Sequence, residues 1–125
     1  MKPHVIKPKL FLVDDDPSSR LLITEILEGA NVNIIECGCG KEAISLFREH
    51  REEIVLVLLD IKLSDCSGWE LLHLFRLEKP DVPAIAISAI SPSELSYQHK
   101  AAGFNGYLSK PFDMDEFLVR VRPYL

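Results

Sequence analysis

The sequence predicts a doubly wound α/β fold, one parallel β-sheet covered by helices on both faces. Three observations carry that expectation. Ile54-Val55-Leu56-Val57-Leu58-Leu59 is an unbroken apolar run, rich in β-branched residues, that stops on Asp60; such a run fits a strand buried on both sides. Shorter apolar runs at Leu10–Val13 and Ala84–Ile87, and short strand-like stretches at Val32–Cys37 and Tyr107–Lys110, alternate with segments of helical periodicity. Strict strand–helix alternation is what parallel pairing requires, because each crossover must carry the chain back across the sheet. Caps and stops of the expected chemistry mark the helix ends between them.

In chain order, residues 1–9 hold two prolines and three lysines and read as a short solvated lead-in. The first strand, Leu10-Phe11-Leu12-Val13, ends on Asp14-Asp15-Asp16. Pro17 then stands at a first helical position with Asp16 as N-cap. Leu21, Leu22, Ile23, Ile26 and Leu27 give this helix a broad apolar face, and Gly29 suits its C-terminal end. After the strand at Val32–Cys37 and a loop from Gly38 to Gly40, residues 41–51 read as a helix with Ala43, Ile44, Leu46 and Phe47 inward. The central strand follows, then a loop from Ile61 to Ser67 closed by Gly68. A third helix spans Trp69 to Lys79, with Leu71, Leu72, Leu74 and Phe75 buried, Trp69 packed at its start, and Pro80 ending it.

Beyond Ala84–Ile87 and Ser88-Ala89, Ser91-Pro92-Ser93-Glu94 is a capping box that opens a polar helix to about Ala102. Its thin apolar stripe predicts a loosely held element. Gly103 to Gly106 turns into the fifth strand, which ends on Lys110. Asp113 and Glu116 repeat the cap pattern for a last helix with Phe117, Leu118 and Val121 inward, stopped by Pro123; Arg120 and Arg122 read as a solvated face.

The whole chain, residues 1–125, therefore reads as one domain, and its 125 residues suit one core. A composition of 47% hydrophobic and 26% charged residues is that of an ordinary globular protein. A net charge of −5 and a pI near 5.3 argue against direct nucleic-acid or anionic-membrane partners. No apolar run reaches membrane-span length and no signal-peptide core follows Met1, so a cytoplasmic location is expected. Cys37, Cys39 and Cys66 form no secreted-type framework and lack the partners of a zinc site, so they read as reduced thiols.

For five strand–helix units the expected strand order is 2-1-3-4-5, a flavodoxin-like arrangement with its switch point between strands one and three. That order brings Asp14, Asp15 and Asp60 together at one sheet edge and adds Ser88 from strand four and Lys110 from strand five. Like charges raise one another's pKa, so three carboxylates need more compensation than one lysine offers. A hard divalent cation with oxygen ligands completes the balance: Mg²⁺, with Mn²⁺ as a substitute. Asp60 is then placed as a carboxylate nucleophile toward a phosphoryl group, with the cation and Lys110 neutralising phosphoryl charge and Ser88 donating a hydrogen bond.

Val13-Asp14-Asp15, Leu59-Asp60 with Gly68 eight residues on, Ser88-Ala89, and Gly106-Tyr107 before Lys110-Pro111-Phe112 occur in that order, each at a strand end. In these motifs, and over essentially its whole length, the chain resembles the CheY-like receiver domains of two-component response regulators. The resemblance implies that Asp60 accepts a phosphoryl group from a phosphohistidine on a sensor histidine kinase or histidine phosphotransfer protein. It further implies that Asp15 binds Mg²⁺ directly, Asp14 largely through water, and the Lys62 backbone carbonyl as a further ligand. Lys110 would meet the phosphoryl group, with Lys110-Pro111 cis. Ser88 and Tyr107 would take the two switch positions that relay the event to the surface of the helix after Ser91, strand five and the last helix, and from there to a downstream partner or output domain. Such a receiver is not an enzyme on other substrates; it catalyses only its own phosphorylation and dephosphorylation.

The chain departs from the family's pattern at Ser64, where Pro is usual, at Cys66-Ser67, where Met-Asp is common, and at Cys39, a position often acidic. Lys62 and Ile90, each two residues past a site residue, are expected to crowd an attacking water and slow the loss of phosphoryl. The alternative is a small metal-dependent phosphatase of the haloacid dehalogenase type, suggested by the acid-x-acid pair in Asp14-Asp15-Asp16. Against it, Ser18 stands where that family needs Thr or Val, and no late acid pair follows Lys110.

Overall fold

The computed structural model describes residues 8–89 and 103–125. The start of the lead-in, Ile90 and the capping-box helix from Ser91 to Ala102 lie outside the described residues. Within them the strands are β1 Lys9–Val13, β2 Asn33–Cys37, β3 Ile54–Asp60, β4 Ala84–Ser88 and β5 Gly106–Ser109. The helices are α1 Pro17–Ile26, α2 Gly40–His50, α3 Gly68–Glu78 and α4 Met114–Val121, the last continued by a 3-10 turn at Arg122–Tyr124. All strand pairings are parallel, in the order β2-β1-β3-β4-β5.

Side chains of successive strand residues point to opposite faces, and the sheet separates two apolar layers accordingly. Phe11, Val13, Val57, Leu59, Ala84 and Ala86 meet Ala43 and Phe47 of α2 and Leu71, Leu72 and Phe75 of α3. At the centre of that layer Phe47 and Phe75 stack at 4.5 Å, and Phe11 meets both edge-on at 5.9 and 5.6 Å. Leu10, Leu12, Leu56, Leu58, Ile85, Ile87 and Leu108 form the other layer with Ile23 and Leu27 at α1 and Phe117 and Val121 of α4. Trp69 packs edge-on against Phe104 at 5.5 Å, a packing role as expected.

The expected apolar faces were drawn too wide at two helices. Leu21 and Leu22 are 60% and 41% exposed, because Ile23 and Leu27, four residues apart, already fill the stripe that α1 turns to the sheet. Leu74 is likewise 41% exposed, turned away from the Leu71, Leu72 and Phe75 side of α3. Pro123 does not stop the last helix outright; it sits inside the 3-10 turn, which needs no N–H from it.

Register places the site. Val13 pairs with Leu59, so Asp14 and Asp60 emerge side by side where β1 and β3 end. Asp60 pairs with Ile87, which puts Ser88 next, and Ser88 pairs with Ser109, which puts Lys110 next. Four neighbouring strands thus deliver their polar residues along one diagonal at the C-terminal edge.

Candidate functional site

Asp14 is completely buried at the end of β1. Its Oδ1 accepts the Asp16 N–H at 2.9 Å, and its carbonyl accepts the Arg20 guanidinium. Oδ2 lies 2.9 Å from Lys110 Nζ, an ion pair outside hydrogen-bond direction, and has no hydrogen-bond partner among the described residues. Asp15 is exposed beside it. Asp16 plays the expected capping part: it accepts the Ser18 N–H at 3.0 Å and the Ser19 hydroxyl at 3.1 Å, bonds that hold its carboxyl below the ordinary value.

Asp60, 6% exposed, receives the Lys62 N–H on Oδ1 and the Lys110 ammonium on Oδ2, both at 3.0 Å. Burial pushes its pKa up, the bonds from Lys110 and Lys62 oppose this, and the charge of Asp14 adds to it; the net direction is upward. For Lys110 burial pulls the pKa down, but the carboxylates of Asp14 and Asp60 outweigh it, so the ammonium is held charged. The Lys110-Pro111 bond is cis, as the resemblance implied.

Asp60, Lys62, Ser88, Ala89 and Lys110 line a cleft of about 210 Å³. Of these, Ser88 is buried and Ala89 is exposed. Tyr107 does not line this cleft. It lies half-buried on β5 with the Arg120 guanidinium 5.8 Å from its ring centroid, at a groove bordered by β5 and α4.

Carboxylate oxygens of Asp14, Asp15 and Asp60 lie within 4.8 Å of one another. Against this stands, among the described residues, one ammonium, that of Lys110, shared by Asp14 and Asp60. An all-oxygen donor set of three carboxylates sharing one ammonium fits a hard divalent cation.

The loop after Asp60 is folded tightly back. Gly68 N–H donates to the Ile61 carbonyl at 2.8 Å, and Lys62 and Ser67 form an antiparallel bridge. A Cβ at Gly68 would lie 2.5 Å from the Asp60 carbonyl oxygen, so only glycine lets α3 begin this close to the strand.

Two residues that the reading of the sequence passed over are tied to the site. Arg20 reaches from α1 to the Asp14 carbonyl, and also pairs with Glu36 at 3.5 Å. Asp65 spans from the loop to the start of α2. The one hint of the second was Cys39, a poor N-cap that leaves the first N–H groups of α2 in need of another acceptor.

The family model for the response regulator receiver domain matches residues 10–122. A Mycobacterium tuberculosis protein named "Probable transcriptional regulatory protein TcrX" is 33% identical over 116 residues, 93% of this chain and 49% of the relative. The chain thus spans about half the length of the curated relatives it matches. Among solved structures, chemotaxis protein CheY4 of Vibrio cholerae superposes with a TM-score of 0.85 at 23% identity, covering 95% of this chain and 99% of that one, a likeness of fold. The complex of CheX, CheY, BeF3 and Mg²⁺ from Borrelia burgdorferi matches with a TM-score of 0.85 at 26% identity, over 93% of this chain and 87% of that one. The phosphatase alternative finds no support in these matches. A sheet of order 2-1-3-4-5 with clustered acids and a lysine at its switch point, matched by the family model almost end to end, shows that the chain belongs to the response regulator receiver family.

Proposed function

We propose that this chain is the phosphoacceptor receiver of a two-component or phosphorelay system, accepting a phosphoryl group on Asp60. The observation that carries this reading is one ammonium shared by two acids: Lys110 Nζ lies 2.9 Å from Asp14 and 3.0 Å from Asp60, with Asp15 in the same cluster. The complex of Borrelia CheY with BeF3 and Mg²⁺ supports the same chemistry. In this reading residues 1–125 act as one cytoplasmic receiver unit with residues 1–9 as its lead-in. The donor is a phosphohistidine on a sensor histidine kinase or phosphotransfer protein, and the receiver in turn controls a downstream partner or output domain.

Asp14, Asp15, Asp60 and the Lys62 carbonyl hold Mg²⁺, or Mn²⁺ in its place. The bound cation supplies charge neutralisation for the phosphoryl oxygens. A carboxylate oxygen of Asp60 attacks phosphorus; the new O–P bond forms as the N–P bond to the donor imidazole breaks, and that nitrogen takes up a proton as it leaves. Lys110 stays with the phosphoryl oxygens, and the Ser88 hydroxyl donates to one of them. Ser88 and Tyr107 act as the switch pair: Ser88 moves toward the phosphoryl group, and Tyr107 follows into the space it leaves.

Incubation with acetyl phosphate and Mg²⁺, followed by intact mass measurement, tests the proposal. One added phosphoryl group is expected on the native chain and none on Asp60→Asn or on the native chain with chelator. A native chain that stays unmodified, or an Asp60→Asn variant that is modified equally, would refute it.

A further inference from the structure

Cys39 occupies the N-cap position of α2 with extended backbone, yet its side chain makes no capping hydrogen bond. The Gly40 and Lys41 N–H groups donate instead to the two carboxylate oxygens of Asp65, at 2.9 and 2.8 Å. Asp65 lies in the loop between β3 and α3, far along the chain from the helix it caps. The placement is favourable twice over, since free N–H groups and the positive end of the helix dipole both attract an anion. These two bonds hold the Asp65 carboxyl below its ordinary pKa. Next to it, Cys66 Sγ packs so closely on Gly40 that a Cβ there would collide with it.

The same short loop reaches the phosphoacceptor. The Lys62 N–H bonds Asp60 Oδ1 at 3.0 Å, Lys62 bridges Ser67, and the Leu63 N–H donates to the Cys66 carbonyl at 3.2 Å. The hydrogen bonds that close the loop on itself, and the backbone that joins Cys66 to Asp65, thus link Asp60 to the first turn of α2 through residues 62–67. Ser64 leaves the loop backbone freer than Pro would, so an outside anchor has more to do here.

We propose that Asp65 is a positioning residue for the phosphoacceptor site: fastening the loop to the first turn of α2 holds the Lys62 main chain where its carbonyl meets the divalent cation. The inference rests on the reading of the site given above. It assigns Asp65 a role separable from capping α2, and that separation is what an experiment can reach.

Asp65→Ala removes cap and tether together. Adding Cys39→Ser gives α2 a local cap without restoring the tether. The double variant is expected to recover most of the thermal midpoint lost by Asp65→Ala. Its Mg²⁺ affinity, measured by calorimetry, is expected to stay about tenfold below that of the native chain, the usual cost of losing a support behind a metal ligand. In metal-free protein the Leu63 and Gly68 amides are expected to exchange faster than in the native chain. Native Mg²⁺ affinity together with native amide protection in the double variant would overturn the inference and leave Asp65 a cap only. Should the double variant fold poorly, Asp65→Ala with Cys39→Asp, which gives α2 a charged local cap and still lacks the tether, replaces it; unchanged affinity and exchange there overturn the inference equally. A native chain that binds no Mg²⁺ would instead sink the underlying reading of the site, an outcome visible before any variant is made.

Discussion

The inner oxygen of Asp14 faces the Lys110 ammonium at 2.9 Å in a spot with no solvent exposure at the acid. The same ammonium donates to Asp60 at 3.0 Å, so one cation holds together acids from two neighbouring strands. Removing it strands buried negative charge, which commonly costs about 3–5 kcal/mol. Lys110→Met is expected to lower stability at neutral pH by about 3 kcal/mol in metal-free protein, allowing for the partial exposure of Lys110. Part of that loss should return with saturating Mg²⁺. Urea denaturation with and without Mg²⁺ measures both; a loss below about 1 kcal/mol would mean that the pair contributes no more than a surface bridge.

Asp60 allows a prediction with a definite sign. Burial raises its pKa above the unfolded value of about 3.9, with Asp14 adding to the shift. An acid shifted upward contributes most below its unfolded pKa and loses that contribution as pH rises through its folded pKa. At neutral pH the ionised Asp60 therefore costs stability. Asp60→Asn should make the metal-free protein more stable there, since the variant carries no buried charge to desolvate. The advantage should shrink on acidification through the folded pKa of Asp60, as the native carboxyl takes up its proton. Mg²⁺ should stabilise the native chain and leave the variant largely unchanged. Denaturation curves across pH, with and without Mg²⁺, check each part; a variant less stable than the native metal-free protein at neutral pH contradicts it.

Where residues report on their own surroundings, the sequence was readable. Ile54–Leu59 could be placed because a strand buried on both faces has no polar side to show, and Asp14, Asp60 and Ser88 because each directly follows or ends such a run; Lys110 follows the shorter, half-buried β5. Helix faces were less legible: Leu21 and Leu74 are apolar, yet they point away from the sheet, since apolar type alone does not set the width of the buried stripe. Asp65 and Arg20 escaped for a different reason. Asp65 caps a helix 24 and 25 residues earlier in the chain, and Arg20 reaches a main-chain carbonyl on another element. Partnerships of that kind depend on the tertiary arrangement and leave only the weak trace of a missing local cap at Cys39.

Gly68 begins α3 against the end of β3. A Cβ there would lie 2.5 Å from the Asp60 carbonyl oxygen and 2.9 Å from Ile61 Cα, and main-chain atoms cannot swing aside as a side chain can. Gly68→Ala is expected to cost about 2–3 kcal/mol, at the upper end of overpacking effects. Because the strain falls on Asp60 and Ile61, phosphorylation by acetyl phosphate should slow even where the variant remains folded. Gly29→Ala is a useful control: its φ of +87° strains the new side chain, but nothing lies within 4 Å of its Cβ, and it is remote from the cleft. Equal phosphorylation rates in the Gly68 variant and the native chain would show that the close approach has no bearing on the chemistry.

Lys62 borders the cleft beside Asp60, Ser88 and Lys110, and its main-chain N–H already bonds Asp60. Hydrolysis of an acyl phosphate on Asp60 requires a water to reach phosphorus from the side opposite the Asp60 oxygen. A long side chain at the rim narrows that approach, and its ammonium orders nearby water around itself. Lys62→Ala keeps the backbone N–H and carbonyl while opening the rim. The expected result is hydrolysis about threefold faster, equivalent to less than 1 kcal/mol of barrier, with the rate of phosphorylation by acetyl phosphate nearly unchanged. Following the decay of phosphorylated protein by intact mass after removal of the phosphodonor measures this directly. Slower or unchanged decay in Lys62→Ala would mean that the water enters elsewhere, and that the lifetime of the phosphoryl group is set by other residues around Asp60.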